Sequence, residues 1–205
     1  SSTATTVSYS RRSAGHPERS PAAAVVIALA STVVFVRVLF EIAVVAPAIL
    51  PDTAGPILAM MVVMIAVSAA LYLTGSGRHE LEIEDESPPS ELGAAIAFGL
   101  LYAVVLLGVA FAEEHLGSRG LYAVAAVSGL TDMDAITLST SELMRTDQLA
   151  TDTGWRLIMV GSLANLVFKA GIVTVLGHRS LRRRILLAFA IAIAAGLAIL
   201  FLWPG

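Results

Sequence analysis

A chain of 205 residues in which 57% are hydrophobic and 14% charged, with mean hydropathy +0.82, is not a water-soluble domain; it is an integral membrane protein. The formal net charge of -3 comes without a basic patch interleaved with aromatics, which argues against nucleic acid as a partner. With no cysteine, disulfides, thiolate metal sites and cysteine nucleophiles are excluded.

Residues 1–20 are polar and lack a short apolar core followed by a small-residue cleavage site, so they read as a disordered tail or linker, not as a signal peptide. A membrane-crossing helix needs about 20 mostly apolar residues, and the single membrane domain, 21–205, offers them at 22–46, 56–73, 92–112, 155–177 and 185–203. Pro47, Pro51 and Pro56 bracket a tight connection, which makes the first two spans a helical hairpin. Residues 74–91 form an acidic loop with Glu80, Glu82, Glu84, Asp85 and Glu86, a solvated strap, and Ser90-Glu91 caps the third span. Glu113, Glu114 and His115 mark its far boundary, while Trp155 and Trp203 sit at span ends, where indoles prefer to lie.

A sixth apolar segment, 121–144, is interrupted by Ser128-Gly129-Leu130-Thr131-Asp132-Met133-Asp134. An ionisable residue at the centre of a membrane helix costs about 2.5–3.5 kcal/mol on insertion scales, so it is paired or functional. Arg37 and Glu41, one turn apart in the first span, read as an intramembrane ion pair. Asn165 and Lys169 share a stripe with Ser162, and Lys169 lies too deep for simple snorkelling; Asp132 or Asp134 is its expected counter-charge. Two positive and three negative groups leave one carboxylate over, free to be protonated, to face water or to hold a cation. Asp132 and Asp134 point about 200° apart on an intact helix, so they can share one ion only where the backbone breaks, and Gly129 supplies the hinge. The bland alternative has one aspartate capping a half-helix near Thr131 and the other pairing with Lys169.

Arginine counts bear on whether 121–144 crosses the membrane or turns back. With six crossings the two faces carry six and five arginines; with a re-entrant segment they carry eight and three, as the positive-inside rule favours. Both Arg37 and Lys169 lie in the first helix of a hairpin, an internal echo that would form inverted repeats if the segment re-enters. Small residues at helical spacing, Gly93 with Ala97 and Ala188 with Ala192 and Gly196, allow close packing within the chain or in a homo-oligomer.

The stretch Gly120-Leu-Tyr-Ala-Val-Ala-Ala-Val-Ser-Gly-Leu-Thr-Asp-Met-Asp-Ala-Ile-Thr-Leu-Ser139, together with Ala164-Asn165-Leu-Val-Phe-Lys169-Ala-Gly171, resembles the membrane domain of unknown function that usually follows the MgtC/SapB domain. Phe98-Gly-Leu-Leu-Tyr-Ala103 and Val36-Arg37-Val-Leu are similar to the same domain, over residues 25 to 200 in all. The resemblance implies the cytoplasmic membrane of a bacterium or archaeon, an MgtC/SapB-type partner and a loose link to magnesium homeostasis. No MgtC/SapB half is present in this chain.

These readings lead to an all-α, polytopic helix bundle of five or six spans with a broken or re-entrant helix around Gly129–Asp134. Its expected function is cation transport, with Asp132, Asp134, Thr131, Ser128, Asn165 and Lys169 forming the binding or gating site and Asp132 and Asp134 as metal ligands. No cofactor is implied beyond a divalent cation. The alternative is a non-transporting regulatory or interaction subunit. An intramembrane aspartyl hydrolase fits least, because the two carboxylates lie on one segment instead of facing each other from two.

Overall fold

The computed structural model describes residues 1–75, 120–130 and 133–204. The expected third span at 92–112, the acidic loop beyond Gly75, Thr131 and Asp132 lie outside them. The described residues form helices and turns without strands: α1 Ser2–Gly15, α2 Ser20–Val45, α3 Leu50–Thr74, α4 Gly120–Leu130, α5 Met133–Arg145, α6 Thr151–Leu176 and α7 Arg179–Leu202. Among the described residues, four stretches are long and apolar enough to cross a membrane: Pro17–Val45, Pro47–Thr74, Thr151–Leu176 and Arg179–Leu202.

Helices α3, α6 and α7 start four to six residues before their apolar stretches. Pro51 falls in the first turn of α3, where a missing N–H costs nothing, and the arginines of α7 are helical although hydropathy excludes them.

The polar N-terminus is a correction. Residues 2–15 are a helix packed on α2 and α6, not a disordered tail. Two of its inward hydroxyls bond to its own backbone: Thr6 Oγ1 donates to Ser2 O at 2.9 Å and Ser13 Oγ to Ser10 O at 2.6 Å. Thr3, Thr6, Ser10 and Ser13 are buried. Once its hydroxyl is satisfied within the helix, such a side chain presents a small surface that lets helices approach closely.

The fold is a duplication. The shift that carries Ser20 onto Thr151 carries Val45 onto Leu176, so α2 and α6 match end to end. The same shift superposes Ala4 on Ala135, Thr6 on Thr137, Ser8 on Ser139 and Ser10 on Ser141, and also Ile27 on Ile158 and Ser31 on Ser162. Burial follows it, for Ala24, Ile27, Ala28, Ser31, Phe35, Val38 and Ile42 correspond to Trp155, Ile158, Met159, Ser162, Leu166, Lys169 and Val173, all buried. Packing is reciprocal too: α1 rests on α2 and α6 as α5 rests on α6 and α2, and α3 touches α2, α6 and α7 as α7 touches α6, α2 and α3.

The two units run in opposite directions. Ser13, near the end of α1, accepts the His178 backbone N–H at 3.1 Å, so the α1–α2 connection meets the α6–α7 turn. At the other end Gly55, early in α3, lies against the Trp203 ring just past α7; a Cβ there would come within 2.8 Å of it. One face of the bundle thus carries Arg11, Arg12, Arg19, Arg179, Arg182, Arg183 and Arg184. The opposite face carries Arg145 and Arg156, bridged to Glu142 and Asp152.

Candidate functional site

The last described turn of α4 is pressed against the middle of α6. A Cβ on Gly129 would run into the Gly161 backbone, and one on Gly161 would lie 3.3 Å from the Ala125 carbonyl oxygen. Two glycines are required here because the two backbones touch. Asn165 Nδ2 donates to the Gly129 carbonyl oxygen at 2.8 Å, tying α6 to α4. Asn165 therefore serves the α4 backbone, a role that its spacing from Lys169 does not disclose.

Asp134, in the first turn of α5, forms an ion pair with Arg37 of α2. Arg37 was expected to pair with Glu41 of its own helix; the bridge instead ties α2 to α5, reaching Asp134 across 97 positions of sequence. Glu41 is half-buried one turn further on and is itself engaged. Ser128 is half-buried at the end of α4, also with a partner. Thr131 and Asp132, which complete the expected cluster, lie outside the described residues.

Lys169 is fully buried; of its two expected counter-charges, Asp134 is bridged to Arg37 and Asp132 lies outside the described residues. Its Nζ donates to Ser31 Oγ at 3.3 Å, across from α6 to α2. Ser31 in turn donates to Ile27 O at 2.8 Å, and its repeat mate Ser162 donates likewise to Ile158 O at 2.9 Å. Nearby, the hydroxyls of Thr32 and Ser68 join α2 to α3 at 3.2 Å. Ser31 is a site residue that sequence reasoning missed; the signal was its match to Ser162 under the repeat shift.

Lys169 lies in the bundle interior, held by a hydroxyl, whereas the Arg37–Asp134 bridge is partly exposed, with half of the Arg37 side chain accessible. Among the described residues no three His, Asp or Glu side chains gather into a group able to hold a metal ion. Asp134 is the described member of the expected aspartate pair, and it is occupied by Arg37.

The model of the family described as a domain of unknown function, DUF4010, matches residues 1–177. The chain belongs to the DUF4010 family. The match includes α1, so that helix is part of the domain. An uncharacterized protein of Aquifex aeolicus (strain VF5) is 28% identical over 186 residues, 89% of this chain and 80% of the relative. No solved structure matches the chain.

Proposed function

We propose that this DUF4010 domain is a membrane transport domain for small cations, working by alternate opening of its two inverted units. The observation that carries the reading is the inverted repeat of α1–α3 and α5–α7, with Asp134 in the first turn of α5 bridged to Arg37 of α2. Such repeats, with interrupted helices in the bundle interior, recur in secondary transporters, where the substrate site lies between the two units. A cation entering from either face would compete with the Arg37 guanidinium for the Asp134 carboxylate, and displacement of that bridge would release α5 from α2. Lys169, Ser31 and Asn165 line the same central region. The distribution of arginines supports placing the α1–α2 and α6–α7 connections in the cytoplasm of a bacterium or archaeon. This common face also favours the re-entrant reading of 121–144, the completing crossing at 92–112 being outside the described residues.

The test is ion flux in proteoliposomes, using Mg²⁺ first because of the resemblance to the membrane domain that follows MgtC/SapB, then other divalent ions, Na⁺ and protons. The reading expects flux that Asp134→Asn and Asp132→Asn abolish while both variants remain folded. Absence of flux for every ion in the wild type would sink it.

A second reading is favoured by the Arg37–Asp134 bridge itself, which joins helices from the two repeats and could serve cohesion alone. The domain would then be a non-transporting membrane subunit that docks an MgtC/SapB-type domain or a second copy of itself. Under that reading Asp134→Asn weakens folding or assembly, and there is no flux to lose.

A further inference from the structure

The chain contains one lysine. Every other member of its 13 Lys and Arg residues is an arginine, and the described arginines lie at helix ends or, for Arg37, in a bridge. The single lysine is fully buried in the middle of the bundle. The two side chains differ in one chemical respect that matters here: an arginine keeps its proton under all conditions a protein meets, whereas a lysine can give its proton up.

The fold does not require a lysine at this position. Under the repeat shift Lys169 falls on Val38, which is also buried, and Asn165 falls on Val34, likewise buried. One copy of the unit fills both places with valine and the other with polar groups. The packing need is therefore met by an aliphatic residue, and Lys169 calls for a different explanation.

Its surroundings narrow that explanation. Of the helices around α6, α2 carries Arg37 and Glu41, and α5 carries Asp134, Glu142 and Arg145. Asp134 is held by Arg37, and Glu142 and Arg145 by each other. Toward their ends, α1 carries Tyr9, Arg11 and Arg12, α3 carries Asp52 and Tyr72, α4 carries Tyr122, and α7 carries Arg179, Arg182, Arg183 and Arg184. None of these is bonded to Nζ among the described residues; Ser31 Oγ is its partner. One hydroxyl acceptor matches a neutral amine, while an ammonium brings three donors and a charge.

We propose that Lys169 is the proton-carrying residue of this protein. It binds a proton as the ammonium while the bundle is open to one side of the membrane and releases it as the amine, held by Ser31, when the opening changes sides. The step is Lys–NH₃⁺ → Lys–NH₂ + H⁺, with water on the open side taking or giving the proton. This deepens the transport reading and rests on it, since it makes the cation flux proton-coupled.

Because the chain has one lysine, the group can be watched directly. Lysine labelled with ¹⁵N at Nζ gives one side-chain resonance in the purified wild-type protein, and its shift separates amine from ammonium. The expected result is conversion between the two forms over the pH range in which the protein stays folded; a resonance that remains in one form throughout overturns the proposal. Proteoliposomes with an imposed pH gradient supply the second arm, with Na⁺, K⁺ or Mg²⁺ added in turn. Wild type should dissipate the gradient with at least one of them, and folded Lys169→Arg should lose at least ten-fold of that rate. An undiminished rate in Lys169→Arg also overturns the proposal. Absence of cation-driven dissipation in the wild type defeats the transport reading and with it the carrier role, while the resonance separately reports whether Lys169 exchanges its proton.

Discussion

Lys169 on α6 occupies the place that Val38 occupies on α2, and both are buried in inverted copies of one helical unit. The pair separates what the fold needs from what it does not. A buried aliphatic side chain suffices at this position in one copy, so the amine in the other is free to serve the site.

The contact of Gly129 with Gly161 should be intolerant of any side chain. Gly129→Ala drives a methyl into the Gly161 backbone, which cannot move as a side chain end could. A loss of at least about 1–3 kcal/mol is expected, the usual range for overpacking. Gly171→Ala, on the same helix α6 with nothing within 4 Å of its Cβ, should be neutral or stabilising by about 0.5–1 kcal/mol. Unfolding of both variants in detergent measures the contrast.

The Arg37–Asp134 bridge should show energetic coupling. Arg37→Met and Asp134→Asn should each destabilise the protein, and the double variant should lose less than the sum of the two. A coupling of about 0.5–3 kcal/mol is expected for residues in direct contact. A double-mutant cycle on thermal or denaturant unfolding reads it; strict additivity would show that the bridge contributes nothing.

Asn165→Leu should be costly in a way that Val34→Leu is not, although the two sites are repeat mates. The Asn change removes the donor to Gly129 O and leaves a buried carbonyl unsatisfied, at about 1–3 kcal/mol. Val34 is a buried aliphatic position, where a modest change of shape usually costs less than about 1.5 kcal/mol. Comparison of the two unfolding midpoints decides the matter.

Removing residues 1–16 should lower the thermal midpoint measurably, because α1 packs on α2 and α6 and Ser13 accepts the His178 N–H. A dispensable tail would leave the midpoint unchanged.

The inverted arrangement can be tested by labelling, since the natural chain has no cysteine. Single cysteines at Arg12 and Arg183 should react with an impermeant thiol reagent from one side of the membrane, and a cysteine at Asp147 from the other. Reaction of all three from the same side would contradict the two-faced assignment.

Much of this was legible in the sequence. The apolar runs located the four long helices found among the described residues, because hydropathy reports local needs directly. Pairing was harder to read. Arg37 and Glu41 are one turn apart and were expected to pair, yet Asp134 comes to Arg37 from a distant segment, and spacing along one helix carries no information about what another helix brings. Residues 1–20 were misread for a related reason. Their polarity suits water when considered alone, but serines and threonines that bond to their own helix can line a close helix contact. The repeat was suggested only by one basic residue per hairpin, Arg37 and Lys169, which the shift does not superpose, since Arg37 falls on Phe168; the equivalence is written mainly in burial and packing, and the two copies share few identities.

Antiparallel duplication also bears on how the protein reaches its membrane. Equivalent helices must be threaded in opposite senses during synthesis, so the two copies cannot carry the same insertion signal. The first unit has Arg11 and Arg12 near the end of α1 and Arg19 just ahead of α2; the second has Arg179 and Arg182 to Arg184 in the first turns of α7. Those are non-equivalent places in the two units that the inversion brings to one face. The helices correspond in length and burial, but these charges are out of step, and that mismatch lets one chain insert both halves without ambiguity.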